Sequence, residues 1–551
     1  MSEPERKVGS VTYKEVGQEY FQQRGLRRHA GVWSLWALGV GAVISGEYYG
    51  WNFGLDTGGF GGLLVAGVVM AIMYYCLVYS IAEMSPALPH TGGAYSFARS
   101  AMGPWGGFLT GLAENMEYVI TPAVVVGAMG LLMQTIVTGL FNVGGKIAAD
   151  GSLTNIAWWN SLPVWWAIFY IIFVWINVVG IEATMRFTVT ITILSIAVLL
   201  FFFIAALTSG KFDTSLWTNI PKGGGNAIAG GGGPLFPHGI GGIFKSLPFA
   251  IWFYLAIEEV PLAAEESMDP RRDVPRGSVL AQHTLVIAAA LTLFINTGLP
   301  GGAKLFGGSA FPLLDGFRAI FAGEKVAYLL GILFMIGLVA SFFTIIYAYG
   351  RNTYSLSRAG YFPKFLSVTH GERRTPQVAL VAGAVVGYAV AVFIFILQQH
   401  NLGSKIVAAL LNMAVFAAVI SYILQMTSFV LLRQRLPNID RPYRSKFGVP
   451  GAVVAGSLAA IALIAIFLNS AYRPGVYGVA VYYVLGVLYF AIAGRNRLVL
   501  SPEEEFALTS GERGVPEVSF ETSKEQQQAI LRGGSESTSV PPSTPPSAPM
   551  G

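Results

Sequence analysis

The chain reads as an all-α polytopic membrane protein with twelve spans. Its first ten spans form two inverted five-helix repeats, with discontinuous helices in spans one and six. Three observations predict this. The 551 residues are 54% hydrophobic and only 12% charged, with mean hydropathy +0.57, whereas soluble domains carry about 25% charged residues. Apolar runs such as Gly61–Tyr79, Val189–Leu207 and Val449–Phe467 each approach the ~20 residues that cross a bilayer as a helix. Finally, two of the apolar segments carry glycines, prolines and carboxylates at positions where a plain lipid-facing helix has no use for them.

Residues 1–30 are polar and basic and form a cytoplasmic N-terminal segment, with a short interfacial helix expected around Tyr13–Arg24. The first apolar segment ends in no small-residue cleavage site, so it reads as a span rather than a removable leader. The spans fall near residues 31–53, 59–84, 105–135, 163–180, 185–208, 240–264, 279–299, 325–349, 376–398, 405–432, 449–468 and 475–493. With the N-terminus inside, 26 Lys/Arg lie on the inner side and 8 on the outer, and Lys245 lies within span six. The positive-inside rule then places both termini in the cytoplasm. This distribution accounts for the net charge of +5 without a nucleic-acid partner. The divisions are 1–30, repeat one at 31–209, an outer glycine-rich loop with repeat two at 210–432, helices eleven and twelve at 433–493, and a tail at 494–551. The Pro/Ser/Thr-rich end of the tail, Ser535–Met550, cannot bury enough apolar surface to fold, so the tail reads as disordered.

Span one holds Gly39-Val40-Gly41-Ala42-Val43-Ile44-Ser45-Gly46-Glu47-Tyr48-Tyr49-Gly50-Trp51-Asn52. A carboxylate at mid-bilayer depth costs at least ~2.5 kcal/mol. Irregular backbone survives there only against protein or a water-filled cavity. Ile44–Glu47 is therefore read as a break that lines a cavity. Span six repeats the pattern in Ser246-Leu247-Pro248 through Trp252-Phe253-Tyr254 to Glu258-Glu259-Val260-Pro261. Breaks five spans apart imply inverted repeats, and paired interrupted helices point to a transporter's binding site. In span three, Glu114 and Glu117 are three apart and Glu114 and Tyr118 four apart, so all three share one face. This face meets either a cavity or other packed carboxyls.

Several classes are excluded or disfavoured. Cys76 is the lone cysteine, which rules out an internal disulfide and a multi-cysteine metal site. The six histidines are scattered without metal-ligand spacing, so neither an enzyme, a metal site nor a cofactor is expected. The runs Gly223-Gly224-Gly225 and Gly230-Gly231-Gly232-Gly233 lack the following Lys-Ser/Thr of a phosphate loop. A channel is disfavoured by the two broken helices and the lack of a repeated filter loop.

Three further stretches are specific: Ile81-Ala82-Glu83-Met84-Ser85-Pro86 through Gly103-Pro104-Trp105, Glu265-Glu266-Ser267-Met268-Asp269-Pro270-Arg271-Arg272-Asp273-Val274-Pro275, and Tyr354-Ser355-Leu356-Ser357-Arg358-Ala359-Gly360-Tyr361-Phe362-Pro363. All lie in expected cytoplasmic loops. Together they resemble the signatures of the amino acid–polyamine–organocation (APC) superfamily of secondary transporters over about residues 30–435. Within it, Gly39–Leu55, Ser80–Ala98 and Gly111–Val119 look most like the ethanolamine permeases.

The resemblance implies a leucine-transporter-like fold and plasma-membrane uptake of a small primary amine, most simply ethanolamine, by alternating access. An amino acid or polyamine permease is the alternative, and a transporter-like nutrient receptor a distant one. It places the substrate against Ile44, Ser45 and Gly46, where free N–H groups at a helix terminus favour an anion. Glu47 departs from that pattern. It either repels a substrate carboxylate and attracts an amine or only shapes the break. Span three is implied to line the cavity, so Glu114, Glu117 and Tyr118 join the substrate-binding candidates. So do Trp252, Phe253 and Tyr254, whose rings can face an ammonium or serve packing alone. Glu258 matches an acidic family position and is placed to bind the amine or carry a coupling proton. Ser341 and Thr344 are the hydroxyls a sodium site would need, with Na+ less favoured than H+. Glu259, Glu265 and Glu266 are expected to pair with Arg271, Arg272 and Arg276, and Glu83 to serve the inner gate.

Overall fold

The computed structural model describes residues 5–14, 16–147, 153–221, 235–399, 403–468 and 472–513. Strands β1 (Glu5–Val8) and β2 (Val11–Lys14) precede helices α1 (Gln18–Gln22), α2 (Val32–Val43), α3 (Ser45–Tyr48), α4 (Phe53–Ala87) and α5 (Ala94–Phe141). A small hairpin, β3 (Lys146–Ile147) with β4 (Leu153–Thr154), leads to α6 (Leu162–Val179) and α7 (Ile181–Thr208). Next come α8 (Gly239–Ala250), two 3-10 stretches (Ile251–Phe253 and Ile257–Glu266) and α9 (Pro270–Thr297). Then follow α10 (Gly302–Gly307), α11 (Pro312–Ile320), α12 (Glu324–Arg358), α13 (Gln377–Gln399), α14 (Gly403–Arg435), α15 (Gly448–Leu468) and α16 (Arg473–Ile492), with β5 (Leu498–Val499) and α17 (Pro502–Leu508) last.

Among the described residues, eleven helical segments are long and apolar enough to cross a membrane. The first expected span is not among them because it is split. Twelve residues of α2 run into the single turn α3, and neither piece alone has the required length. The segments Gly239–Glu266, Lys325–Arg358 and Met413–Arg435 are each 67% buried, against 17% for Gly475–Asn496. Spans six, eight and ten thus sit at the centre and the last span at the rim. Residues such as Ile171, Trp175, Phe393 and Ile492 stay exposed on the outer helices. In lipid this costs nothing, because the surrounding tails are as apolar as the side chains.

The first break starts inside the expected Ile44–Glu47, where α2 gives way to α3 at Ile44 and the Ser45 N–H leaves the helical ladder, and it extends further along than expected. Ile44 itself is right-handed helical, and Ser45–Tyr48 complete a helical turn. The chain leaves the helix at Tyr49, which is extended, and at Gly50, whose φ of 97° suits glycine. Asn52 fixes this turn. Its Oδ1 accepts from the Gly50 N–H at 3.1 Å, and its Nδ2 donates to Phe306 O at 2.6 Å and Ser309 O at 2.8 Å. The second break falls where it was expected. Between its two 3-10 stretches Ala256 has φ 79°, a left-handed conformation that is sparsely populated by residues with a Cβ and costs of order 1 kcal/mol.

Both termini depart from expectation. Tyr13 lies on a strand rather than in an interfacial helix, and only Gln18–Gln22 is helical there. β1 pairs antiparallel with β2, and β2 pairs parallel with β5. Residues 494–513 are therefore ordered against the N-terminal hairpin, not part of a disordered tail. The rest of that tail, 514–551, and the glycine runs within 222–234 lie outside the described residues.

Candidate functional site

The two breaks touch. A Cβ built on Gly46 would lie 1.9 Å from the carbonyl oxygen of Trp252, so the chain passes here only because residue 46 is glycine. Ser341 on α12 stitches span one above the contact. Its hydroxyl accepts from the Ser45 N–H at 2.9 Å and donates to Gly41 O at 2.9 Å. Thr344 instead donates back to Ala340 O of its own helix at 2.8 Å, the usual local bond of a hydroxyl in a span. Both hydroxyls expected for a sodium site are thus engaged within the protein. Ser341→Ala leaves a buried N–H and C=O without partners. It is expected to cost about 1–3 kcal/mol, read as a lower thermal unfolding midpoint in detergent.

Around the contact the structure gathers Ile44, Ser45, Gly46, Glu47, Trp252, Phe253 and Tyr254, all buried. Glu47 is fully buried and neither carboxylate oxygen has a hydrogen-bond partner. Thr292 on α9 and Tyr254 are its polar neighbours. The Tyr49 hydroxyl and the Trp51 indole N–H are also buried and unpartnered. Trp51 stacks on Phe253 at 5.5 Å. Leaving a buried polar group unpaired is costly, and Glu47, Tyr49 and Trp51 lie together in sequence at the first break.

Glu114, Glu117, Tyr118 and Glu258 form a second group. Glu117 on α5 and Glu258 on the 3-10 stretch lie within hydrogen-bonding reach of each other. Glu114, Glu259 and the unpartnered Tyr118 hydroxyl flank them. Tyr422 on α14 donates to Glu258 Oε2 at 3.0 Å, and Tyr74 on α4 donates to Tyr422 at 3.1 Å. The Tyr74 ring meets that of Tyr254 at 5.2 Å, which joins the two groups. Among the described residues, none of Glu47, Glu114, Glu117, Glu258 and Glu259 has an Arg, Lys or His partner. Tyr74 and Tyr422 were missed in the sequence because a tyrosine in an apolar span carries no signal of its partner.

The ion pairs expected near the inner end of span six take other partners. Glu266 is held by Arg351 Nε at 3.0 Å and Nη2 at 2.9 Å, with the Tyr347 hydroxyl also donating. Glu265 pairs with Arg358 Nη1 at 2.9 Å, and Arg271 with Asp440 at 3.3 Å. Glu259 has no partner. The reason is geometric. Residues 257–266 form a buried 3-10 stretch whose last two carboxylates, Glu265 and Glu266, face the arginines of α12 and not the following loop. Glu83 accepts from Arg433 at 2.9 and 2.6 Å and from the Ser445 N–H at 2.7 Å. Arg351 was overlooked, although an arginine seven residues before Arg358 at the end of an apolar span marks one inward face.

The C-terminal helix α17 closes this end. Glu503 accepts from Ser355 at 3.1 Å and from Arg358. Burial pushes its carboxyl up, but the Arg358 and His90 charges and the hydrogen bonds outweigh it and hold it at about 2. Glu504 accepts from Tyr13 at 2.6 Å, Tyr95 at 2.9 Å, Tyr361 at 2.8 Å and Arg99 at 2.5 Å.

Comparison with known proteins agrees with this architecture. Residues 31–492 match the amino acid permease family. An uncharacterised transporter of Rhizobium meliloti is 28% identical, covering 84% of this chain and 92% of its own length. A branched-chain amino acid permease of Bacillus subtilis is 26% identical over 84% of this chain and 93% of its own. A methylthioribose transporter of the same organism is 26% identical over 77% and 86%. With its split first span, its interrupted sixth and the family match running from the first span to the last, the chain belongs to the amino acid permease family.

Proposed function

We propose that the chain is a secondary active transporter of the plasma membrane, with both termini cytoplasmic, that takes up a small primary amine, most simply ethanolamine, by alternating access with proton coupling. The observation that carries this reading is Glu47, a fully buried carboxylate without a partner at the contact of the two breaks. A buried charge needs a counter-charge, and a substrate ammonium supplies one together with hydrogen-bond donors. The rings of Trp252, Phe253 and Tyr254 suit a cation. The unpartnered Tyr49 and Trp51 groups are available to a small hydroxyl. An α-amino acid fits less well, since its carboxylate would meet Glu47. One donor it would use, the Ser45 N–H, is already given to Ser341. The relatives named for amino acids and methylthioribose show that substrates vary across the comparison.

The test is uptake of labelled ethanolamine into liposomes, competed by amino acids and polyamines, with and without a pH gradient. Glu47→Gln removes a charge-assisted hydrogen bond of about 1.5–3 kcal/mol. Ethanolamine uptake is therefore expected to fall on the order of tenfold or more, with amino acids becoming better competitors. Unchanged uptake and selectivity would sink the role of Glu47. Leucine or spermidine competing where ethanolamine does not would move the assignment to an amino acid or polyamine permease.

A further inference from the structure

Glu117 and Glu258 lie in contact yet come from different spans, α5 and the broken sixth. Every titratable side chain identified around them is acidic or phenolic: Glu114 and Tyr118 on α5, Glu259 on the 3-10 stretch, Tyr422 on α14 and Tyr74 on α4. Tyr483 of α16 lies near Glu114, with its hydroxyl donating to Leu109 O at 3.3 Å. Two touching carboxyl groups in a dry setting cannot both be charged, because their repulsion is unscreened. A proton held between them turns that repulsion into a short hydrogen bond. The Tyr118 hydroxyl gives a second, independent sign of a site. It is fully buried, unpartnered and directed at the same cluster.

We propose that Glu117 and Glu258 form a proton-binding site distinct from the substrate position at Glu47, and that the one proton they share is the ion carried inward with the substrate. This rests on the transporter reading above. Glu47 looks toward Thr292 and Tyr254, while the pair looks toward Tyr422 and Tyr118. Substrate and proton can therefore be bound together, which is the condition for symport. The bonded chain Glu258–Tyr422–Tyr74, with Tyr74 against Tyr254, is the physical link through which occupancy of one site biases the other. The proton enters from outside water onto the pair when the cavity faces out and leaves to cytoplasmic water when it faces in. Glu117, expected to bind substrate, thus serves coupling, and Glu258 takes the second of its two expected roles.

Two measurements decide it. The first needs no substrate. Purified protein in weakly buffered detergent at pH 7 is denatured and the released protons are counted with an indicator dye. Unfolded glutamates ionise at this pH, so wild type is expected to release about one more proton per molecule than the Glu117→Gln/Glu258→Gln double variant. Equal release overturns the shared proton even if ethanolamine is not the substrate. The second uses proteoliposomes with a luminal pH dye. Wild type is expected to acidify the lumen as it accumulates labelled ethanolamine down an inward proton gradient. In Glu117→Gln the ratio of gradient-driven accumulation to ethanolamine counterflow at equal pH is expected to fall at least tenfold. A ratio that stays at the wild-type value, whether or not both fluxes drop, overturns the coupling role.

Discussion

Gly46→Ala is expected to abolish transport, lowering uptake at least a hundredfold. The added methyl would sit 1.9 Å from Trp252 O and 2.8 Å from its carbonyl carbon. These are backbone atoms, so no side-chain rotation relieves the clash. The two spans must move apart at the point where both are interrupted. Overpacking a well-packed core costs about 1–3 kcal/mol, which a membrane bundle of this size survives. The lost function is thus expected in folded protein. A displacement of about 1 Å at a binding site costs on the order of a hundredfold in activity. Gly67→Ala is the matched control, since its Cβ would meet nothing within 4 Å. It should transport normally. Wild-type uptake by Gly46→Ala, measured per monodisperse molecule, would mean that the two breaks need not touch during transport.

The spans were legible because the bilayer imposes one demand, a long apolar run, that any window of sequence displays. The breaks were legible for the converse reason: Gly46, Glu47, Pro248 and Glu258 violate that demand. The far end of the first break, at Tyr49 and Gly50, was not, because it depends on Asn52 reaching Phe306 and Ser309. That contact spans more than two hundred residues. The ion pairs failed in the same way. Sequence proximity suggested Arg271, Arg272 and Arg276 for Glu265 and Glu266, whereas the observed partners lie 93 and 85 residues away. The N-terminal hairpin and α17 are polar segments that look unstructured one at a time. Glu504 explains them. It gathers Tyr13, Tyr95, Tyr361 and Arg99 from three separate parts of the chain, and each donor is uninformative alone.

Arg351→Met is expected to destabilise the protein by about 3–5 kcal/mol, read as unfolding free energy in mixed micelles. Arg351 and Glu266 are both fully buried. The guanidinium makes two bonds to one carboxylate and stacks on Tyr347 at 3.7 Å. Its removal strands the Glu266 carboxylate with only the Tyr347 hydroxyl. The same residue's backbone oxygen accepts from His29 and Ala30 at 2.8 and 2.9 Å, where the chain enters span one. A shift of Glu266 would therefore loosen the adjoining ends of spans one, six and eight together. Glu266→Gln/Arg351→Met removes the stranded charge and is expected to recover most of the loss, since replacing both members of a buried pair is often neutral. Arg186→Met offers the contrast, because the Arg186–Glu182 pair is 77% and 49% exposed and such pairs contribute about 0–1 kcal/mol. If Arg351→Met costs no more than Arg186→Met, burial is not what gives the pair its weight. If the double variant is as unstable as the single one, the cost lies in lost packing against Tyr347 rather than in an orphaned charge.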